Sequence, residues 1–349
     1  MECKVKQIDF QGGGVVCKYL IPVEGQCGFC KRPKQNRCLE EIQMKPIPLS
    51  HSSIQNFLTC KHLFYLKEIL GIRTKDRMAS DPIKAGALWD YCQRYLHGEK
   101  VDLEEIVTRY EIQPRLVAKV RALHLAYKEL GIKSQEGYTM QGRFKHHLNL
   151  YDNKLIEESE LDGYDKNKAA RGVLTVKGFY DRKYEDYFVE NKLTGRPENY
   201  FDIWFLQSQV GTYFLVDESL KKCIMEVTRI PDLRSTGKFA DETDEEYCDR
   251  CLMDILHRPT FYFIGYDKET GTYGKTFYRN EFQLTDIRDR YKHIAMDIHH
   301  TQFEEGFYKN DRVCNNILPG IKCDMLDICK YGKFDETRYE FNTYKKGGI

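Results

Sequence analysis

The sequence predicts a mixed α/β protein, in which a helical first part is followed by strands that alternate with helices. Helical periodicity recurs between residues 54 and 130, whereas residues 172–192 and 223–230 show the pattern expected of strands. The chain has 349 residues, of which 41% are hydrophobic and 31% charged, as in ordinary folded proteins. This length fits one large domain with appendages. The 13% of aromatic residues argue against extended disorder, because they supply ample material for a core.

Each element follows from its pattern and from the residues that flank it. A serine within residues 49–53 is a natural N-cap for the first helix, and Gly71 ends that helix. Two further helices are predicted at 82–96 and 103–130, the second broken or kinked near Pro114. The later elements are strands at 172–181 and 187–192, a helix at 199–216, a strand at 223–230, an acidic helix at 244–256, a hairpin of 260–266 with 275–280, and a long helix at 285–303.

The charge balance and the apolar pattern restrict the environment of the protein. No apolar stretch approaches the roughly 18 to 20 residues that cross a bilayer, and the N-terminus lacks a signal-peptide core. We therefore expect a cytoplasmic protein with no membrane partner. The formal net charge of +1 excludes a histone-like polycation, although a local basic cleft can still bind phosphates. Residues 274–276 lack the earlier glycine of a phosphate-binding loop, so any helicase would be a separate chain.

The most informative segment places Asp181 shortly before a strand that carries Glu190 and Lys192. Residues i and i+2 of a strand project to one face, and Asp181 joins them if the two strands pair. Two carboxylates with a lysine form a site for Mg²⁺ or Mn²⁺, in which the lysine orients or helps to deprotonate a water molecule. The alternative is an exposed strand with alternating charges, because such short patterns also occur by chance.

Two side chains of the following helix belong to the same pattern. Gln209 and Tyr213 are four residues apart and therefore lie on one helical face. They are placed to contact a strand of nucleic acid or to hold the lysine in position.

The order of these features resembles that of the PD-(D/E)XK nucleases of the RecB type. The motifs are GxxD at 178–181, ExK at 190–192 and QxxxY at 209–213, and residues 49–72 resemble the first helix of that family. The resemblance covers about residues 47–332. It implies a restriction-endonuclease-like mixed sheet flanked by helices, with the metal on Asp181 and Glu190, catalysis by Lys192, and Gln209 and Tyr213 along the DNA channel.

One position departs from the family pattern. The family usually has a metal-binding histidine four residues after a glycine in an early helix, whereas here Gly86 is followed by Asp90. An aspartate also coordinates hard cations, but Asp90 would equally suit the surface. The resemblance implies a DNA exonuclease that acts on single strands or ends, with a separate helicase or recombination protein as a partner. A non-catalytic DNA-binding or scaffold subunit, and a zinc protein without a nucleic-acid role, are the alternatives.

The 13 cysteines are unusual for a chain without a secretion signal, because cytosolic thiols stay reduced. Cys60, with Cys314, Cys323 and Cys329 near the C-terminus, supplies the four thiolates that a [4Fe-4S] cluster requires. RecB-type nucleases with such clusters divide their cysteines in the same way, although their first C-terminal gap is usually shorter. The cluster would join the two ends of the domain. Zinc in the same thiolates, or no metal, remain the other readings.

A second cysteine set lies near the N-terminus. Cys17, Cys27, Cys30 and Cys38 include one C-x₂-C pair and suit a structural zinc ion or free thiols, and Cys3 is an alternative to Cys17. Cys248 and Cys251 share one face of the acidic helix, where we expect buried packing. The predicted organisation is a cysteine-rich segment at 1–46, a nuclease domain at 47–335 and a C-terminal tail at 336–349.

Overall fold

The structure is a computed structural model that describes residues 22–23, 26–27, 49–133, 138–149, 155–156, 173–206, 208–301, 306–314 and 322–342. The helices are α1 (His51–Thr59), α2 (Lys61–Phe64, followed by a π-helical turn at Tyr65–Ile69), α3 (Asp81–Leu96), α4 (Leu103–Tyr110), α5 (Pro114–Glu129), α6 (Ile203–Leu206), α7 (Val210–Val216), α8 (Asp244–His257), α9 (Pro259–Tyr262), α10 (Leu284–His300), α11 (Asp311–Cys314) and α12 (Leu326–Tyr331). The strands are β1 (Pro22–Val23), β2 (Gln26–Cys27), β3 (Ile72–Thr74), β4 (Thr139–Asn149), β5 (Leu155–Ile156), β6 (Val173–Lys183), β7 (Tyr187–Thr194), β8 (Lys222–Arg229), β9 (Lys275–Tyr278) and β10 (Tyr339–Phe341). The predicted α/β class is confirmed. The predicted zinc residues Cys17, Cys30 and Cys38 lie outside the described residues, and Cys27 is described only through its backbone in β2.

The main sheet contains six strands in the order β5-β4-β6-β7-β8-β9. The β7–β8 pair is parallel, and the other neighbours are antiparallel. A parallel pair needs a crossover connection, which α6 and α7 provide. Alternate residues of β8 face the two sides of the sheet: Met225 packs in a core with α1, α7 and α10, whereas Thr228 hydrogen-bonds Tyr273 of the core around α3, α5 and α8. The sheet therefore separates two hydrophobic cores.

The C-terminal segment returns to the first helices. Strand β10 pairs antiparallel with β3, so that Tyr339 lies opposite Thr74. Met325 and Tyr339 are buried there in a third core, together with Leu66 of the π-helical turn. Part of the predicted tail at 336–349 is thus packed against the beginning of the domain.

The structure corrects three of the predicted elements. The predicted helix at 199–216 is divided into a 3₁₀ turn at Pro197–Phe201, then α6 and α7. The predicted hairpin of 260–266 with 275–280 is wrong: Pro259 begins the short helix α9, and β9 pairs with β8 instead. Cys60 divides the first helix, because its backbone is extended with φ −159° and ψ 115°. Strand β4 was not predicted, since its sequence is largely polar.

Gly178 allows β6 to approach the aromatic side chains of the first core. A Cβ atom at this position would lie 2.3 Å from Cζ of Phe144 and 3.2 Å from Cε1 of Tyr213. We expect Gly178→Ala to lower the free energy of unfolding by about 1–3 kcal/mol, because packed rings cannot yield easily. Gly86→Ala is the matched control, since nothing lies within 4 Å of its Cβ in α3 and alanine favours a helix. Chemical denaturation of both variants measures the difference, and equal stability of the two would contradict the expectation.

Candidate active site

Strands β6 and β7 diverge at the position of Asp181. Their ladder pairs only Arg182 with Val189 and Lys183 with Phe188, after which β6 continues beside β4 and β7 beside β8. The carboxylate of Asp181 bridges the divergence, because its Oδ2 accepts a hydrogen bond of 2.7 Å from the backbone N–H of Asn191. This contact fixes Asp181 next to the strand that carries the other predicted catalytic residues.

Glu190 is the most enclosed carboxylate of this site, with 2% of its surface exposed. Its Oε1 accepts hydrogen bonds of 2.5 Å from Nζ of Lys192 and 2.5 Å from Nε2 of Gln209. Its Oε2 is buried and has no hydrogen-bond partner among the described residues. One carboxylate oxygen is therefore held by two donors, while the other remains available to a further ligand.

Gln209 and Tyr213 act on the site from the helix side of the sheet. The Gln209 amide donates to the Tyr213 hydroxyl at 3.3 Å as well as to Glu190. The Tyr213 ring is 7% exposed and packs edge-on against Phe144 and Phe188. Tyr213 therefore supports Gln209 from within the core, and Gln209 in turn orients Glu190.

Burial and the neighbouring charges shift the proton affinities of this group. Burial, and then the charge of Asp181, raise the pKa of Glu190 above its ordinary value, although Lys192 opposes this shift. Burial alone would lower the pKa of Lys192, but the attraction of Glu190 and Asp181 outweighs burial and raises it. Lys192 is therefore a cation at neutral pH, suited to stabilise negative charge on a substrate rather than to remove a proton.

Asp90 lies within electrostatic range of the same group. Its helix α3 packs on β7, and the pKa of Asp90 is raised to about 6 by burial and then by Asp181, with Lys192 opposing. Across the described part of the chain, no three His, Cys, Asp or Glu side chains come close enough together to hold a metal ion. Mg²⁺ usually keeps several waters and needs only one or two carboxylates. The oxygen donors of Asp181 and Glu190 therefore fit such a cation.

The raised pKa of Asp90 has a consequence for stability in the absence of metal. The folded protein binds the Asp90 proton more tightly than the unfolded chain does, so stability falls as pH rises from 3.8 to about 6. We expect Asp90→Asn to be more stable than the wild type at pH 7.5 in EDTA, by at most about 3 kcal/mol. The difference should disappear near pH 4, where the wild-type carboxyl is protonated.

If Asp90 is a metal ligand, Mn²⁺ stabilises the wild type more than the variant. Denaturation curves at both pH values test this, and an unchanged difference at pH 4 would contradict it.

His51 is close enough to Lys192 for the charge of Lys192 to lower its pKa, although the sequence did not indicate this. It is the first residue of α1. Burial, then the charge of Lys192 and more weakly that of Arg290, lower its pKa, and a hydrogen bond with the Ser208 backbone opposes this shift only in part. Its Nδ1 is buried and has no hydrogen-bond partner among the described residues. Only the fold could reveal this neighbour, because His51 and Lys192 are far apart in the chain and share no motif.

The four cysteines predicted to bind iron and sulfide lie in one region of the fold, where Cys60 and Cys323 belong to the third core and Cys329 packs against it. Sγ of Cys60 accepts a hydrogen bond of 3.4 Å from the backbone N–H of Asn310, and the N–H of Cys323 donates to the Cys314 carbonyl at 2.9 Å. Burial, then mainly the Cys323 thiol, with smaller effects of Cys314 and Cys60, raises the pKa of Cys329 to about 12. Burial also raises the pKa of Cys323 to about 11. These thiols are the donors that an iron-sulfur cluster or zinc uses, and they are not at coordination distance in the described residues.

The other described cysteines pack in the hydrophobic cores. Cys248 and Cys251 are 3% and 0% exposed on α8, as predicted, and they contact the core that includes Tyr247 and Ile255. Cys92 is likewise buried in that core. None of the helices in the described ranges combines the length and the apolar character that a membrane span requires. Comparisons with protein-family models, curated proteins and solved structures found no match for this chain.

Proposed function

We propose that this protein is a metal-dependent DNA nuclease with a restriction-endonuclease-like fold, an exonuclease that hydrolyses phosphodiester bonds at single strands or ends. The observation that carries the proposal is the enclosed Glu190, whose one oxygen is held by Lys192 and Gln209 while the other is buried without a partner. Asp181 is fixed beside it by the Asn191 N–H. Such a pair of carboxylates with a lysine is the arrangement expected for phosphodiester hydrolysis.

Each residue has a defined part in this proposal. Asp181 and Glu190 would hold Mg²⁺ or Mn²⁺, which supplies Lewis-acid polarisation of the phosphate and a more acidic water molecule. Lys192 stabilises the negative charge that develops on the phosphate oxygens, since it stays protonated next to Glu190. Gln209 maintains the orientation of Glu190. Asp90 adds a further carboxylate near the cation.

The proposal includes a [4Fe-4S] cluster on Cys60, Cys314, Cys323 and Cys329. The supporting observation is that the pKa values of Cys314, Cys323 and Cys329 are raised mainly by burial and further by neighbouring thiols of the same set, as expected of side chains in close proximity. Binding of iron would displace the thiol protons, and the positive charge of the iron would offset the repulsion between the resulting thiolates. Its role would be structural, because it joins α1 and α2 to α11 and α12. The proposed partners are DNA and a separate helicase or recombination protein.

A cleavage assay with strand-specific labels tests the activity. Protein purified without oxygen is incubated with single-stranded and duplex DNA labelled at the 5′ or the 3′ end, in Mn²⁺, Mg²⁺ or EDTA. We expect metal-dependent release of short products from single strands, and iron with sulfide in stoichiometric amounts. Absence of cleavage in both metals would contradict the nuclease proposal, and a zinc-loaded, colourless protein would contradict the cluster.

A non-catalytic DNA-binding or scaffold subunit is the second candidate. Two observations favour it. Within the described residues, no three metal-binding side chains are gathered at the catalytic position, and Asp90 stands where the resembling family usually has a histidine. This candidate predicts DNA affinity without cleavage in either metal. The same assay, combined with a binding measurement, separates the two candidates.

A further inference from the structure

Phe261 is a large aromatic residue that the fold leaves exposed. It lies in α9, and 42% of its surface is accessible. The guanidinium carbon of Arg229 lies 4.5 Å from the centre of its ring, and that of Arg258 lies 4.8 Å away. We call these three side chains the Phe261 platform. It combines an accessible ring with two planar cations.

The platform is held in place by its own hydrogen bonds. Nε of Arg229 donates to the Phe261 carbonyl at 3.3 Å, and Nη1 donates to the Gly195 carbonyl at 3.3 Å. Arg258 forms two hydrogen bonds with the Asp254 carboxylate, one of them of 3.0 Å between Nε and Oδ1. Because both cations are tethered, a ligand that stacks on them loses little side-chain freedom.

The position of the platform relates it to the candidate active site. Arg229 is the last residue of β8 and lies opposite Thr194 of β7. Lys192 precedes Thr194 by two residues in the same strand, which corresponds to about 7 Å. The platform therefore lies at the carboxyl ends of the parallel strand pair, next to the catalytic lysine. Exposed Arg196 adds positive charge there.

A second arginine–aromatic pair shows what a purely structural contact looks like in this protein. The Arg250 guanidinium lies 4.2 Å from the centre of the Phe239 ring, but that ring is only partly exposed. Arg250 is bound by Glu242 through hydrogen bonds of 2.5 and 2.9 Å, and the Glu242 side chain is 7% exposed. The Phe261 ring is more accessible, and its arginines lie on the catalytic edge.

The chemistry of the platform selects its ligand. Unpaired bases stack on aromatic rings and on guanidinium planes, while arginines also attract the phosphates of the same strand. The bases of a duplex are stacked on one another and do not offer their faces. Arg258 pairs with Asp254, and Arg229 lies 4.0 Å from Glu198. Exposed Arg196 adds a third positive charge, so these arginines outnumber the two carboxylates that pair with them and can attract a polyanion.

We propose that the Phe261 platform binds the bases of single-stranded DNA adjacent to the catalytic edge. The choice of single-stranded DNA rests on the proposed function, and the platform adds the residues that would bind its unpaired bases. Stacking at this place would hold an unpaired strand so that the next phosphodiester bond lies beside Lys192.

Direct binding in EDTA tests the platform without hydrolysis. Fluorescence anisotropy with a labelled oligothymidylate compares the wild type with Phe261→Leu, Phe261→Trp and Tyr278→Leu, the last being a control at an aromatic residue that is 54% exposed on β9. We expect Phe261→Leu to weaken binding by roughly ten-fold, because a stacked base is lost, and Phe261→Trp and Tyr278→Leu to bind like the wild type. An oligonucleotide with abasic positions should reduce the effect of Phe261→Leu.

The outcomes separate this inference from the nuclease proposal. The platform would be overturned if Phe261→Leu binds DNA with wild-type affinity, or if Tyr278→Leu loses as much affinity as Phe261→Leu does. It would also be overturned if Phe261→Leu weakens binding of the abasic and the normal oligonucleotide equally. These outcomes count whether or not DNA is cleaved. A selective loss in Phe261→Leu without any cleavage by the wild type would support the platform and reject the nuclease. Thermal unfolding of Phe261→Leu and the recovery of affinity in Phe261→Trp exclude misfolding as the cause.

Discussion

Replacing Lys192 with alanine is expected to lower Mn²⁺-dependent cleavage of single-stranded DNA by about 10²- to 10³-fold, the loss that follows removal of one group that stabilises transition-state charge. The physical reason is that Lys192 supplies the positive charge of the site, through a hydrogen bond of 2.5 Å to Glu190. The rate is measured under single-turnover conditions with end-labelled DNA. DNA affinity should change much less, because the Phe261 platform and other basic side chains are retained.

Lys183→Ala is the matched control for this experiment. Lys183 follows Asp181 by two residues in β6, and it forms a 2.6 Å ion pair with Asp217. We expect cleavage by Lys183→Ala within about two-fold of the wild type, since surface pairs of this kind contribute at most about 1 kcal/mol. Equal rates for Lys192→Ala and the wild type would remove the basis for the proposed mechanism.

Replacement of Cys60 by alanine is expected to abolish iron binding and to lower the free energy of unfolding by about 5 kcal/mol. This estimate equals the entropy that a cross-link removes from the unfolded chain when it closes the very long loop between Cys60 and the C-terminal cysteines. Cys60 is 6% exposed and lies in the third core with Cys323 and Tyr339. Iron and sulfide analysis, the absorbance of the anaerobic protein and denaturation curves measure the two effects.

Cys92→Ala is the corresponding control, because Cys92 is 3% exposed and lies in a different core. Loss of its sulfur should cost on the order of 1 kcal/mol through packing alone, with unchanged iron content. A Cys60→Ala protein that retains stoichiometric iron would show that the cluster does not depend on this residue. If the wild type contains no iron and the two variants are destabilised equally, Cys60 contributes only through packing in the core.

The local patterns of the sequence predicted most helices and central strands because each has its own signals. Thr243, for example, caps α8 by accepting from the Glu246 N–H. The failures have a common cause in tertiary contacts. Strand β4 is polar in sequence, yet it pairs along most of β6, because the preference for a strand depends on packing against its neighbours more than on the intrinsic preference of its residues. The helical form of α9 depends on Pro259, whose ring suits a first helical position but which is equally compatible with a turn.

The candidate site was partly predictable, since the spacing of Glu190 and Lys192 within one strand places them together in any sheet. The approach of Asp181 required pairing of β6 with β7 and then their divergence, which no spacing shows. His51 was not predictable, because its distance from Lys192 is set by the packing of α1 on the sheet. The Phe261 platform combines Arg229 of β8, Arg258 between α8 and α9, and Phe261 of α9, which share no motif.

Helix α1 connects the two sites of this protein. His51 begins the helix beside Lys192, and Cys60 follows its last residue and contacts Asn310. Nine helical residues form a stiff rod of about 13 Å, capped at its start by the reciprocal hydrogen bonds of Ser50 and Ser53. A displacement of Cys60 along this axis moves His51 by a similar distance. If the proposed cluster anchors Cys60, it would therefore also fix the position of His51 at the opposite end of the helix.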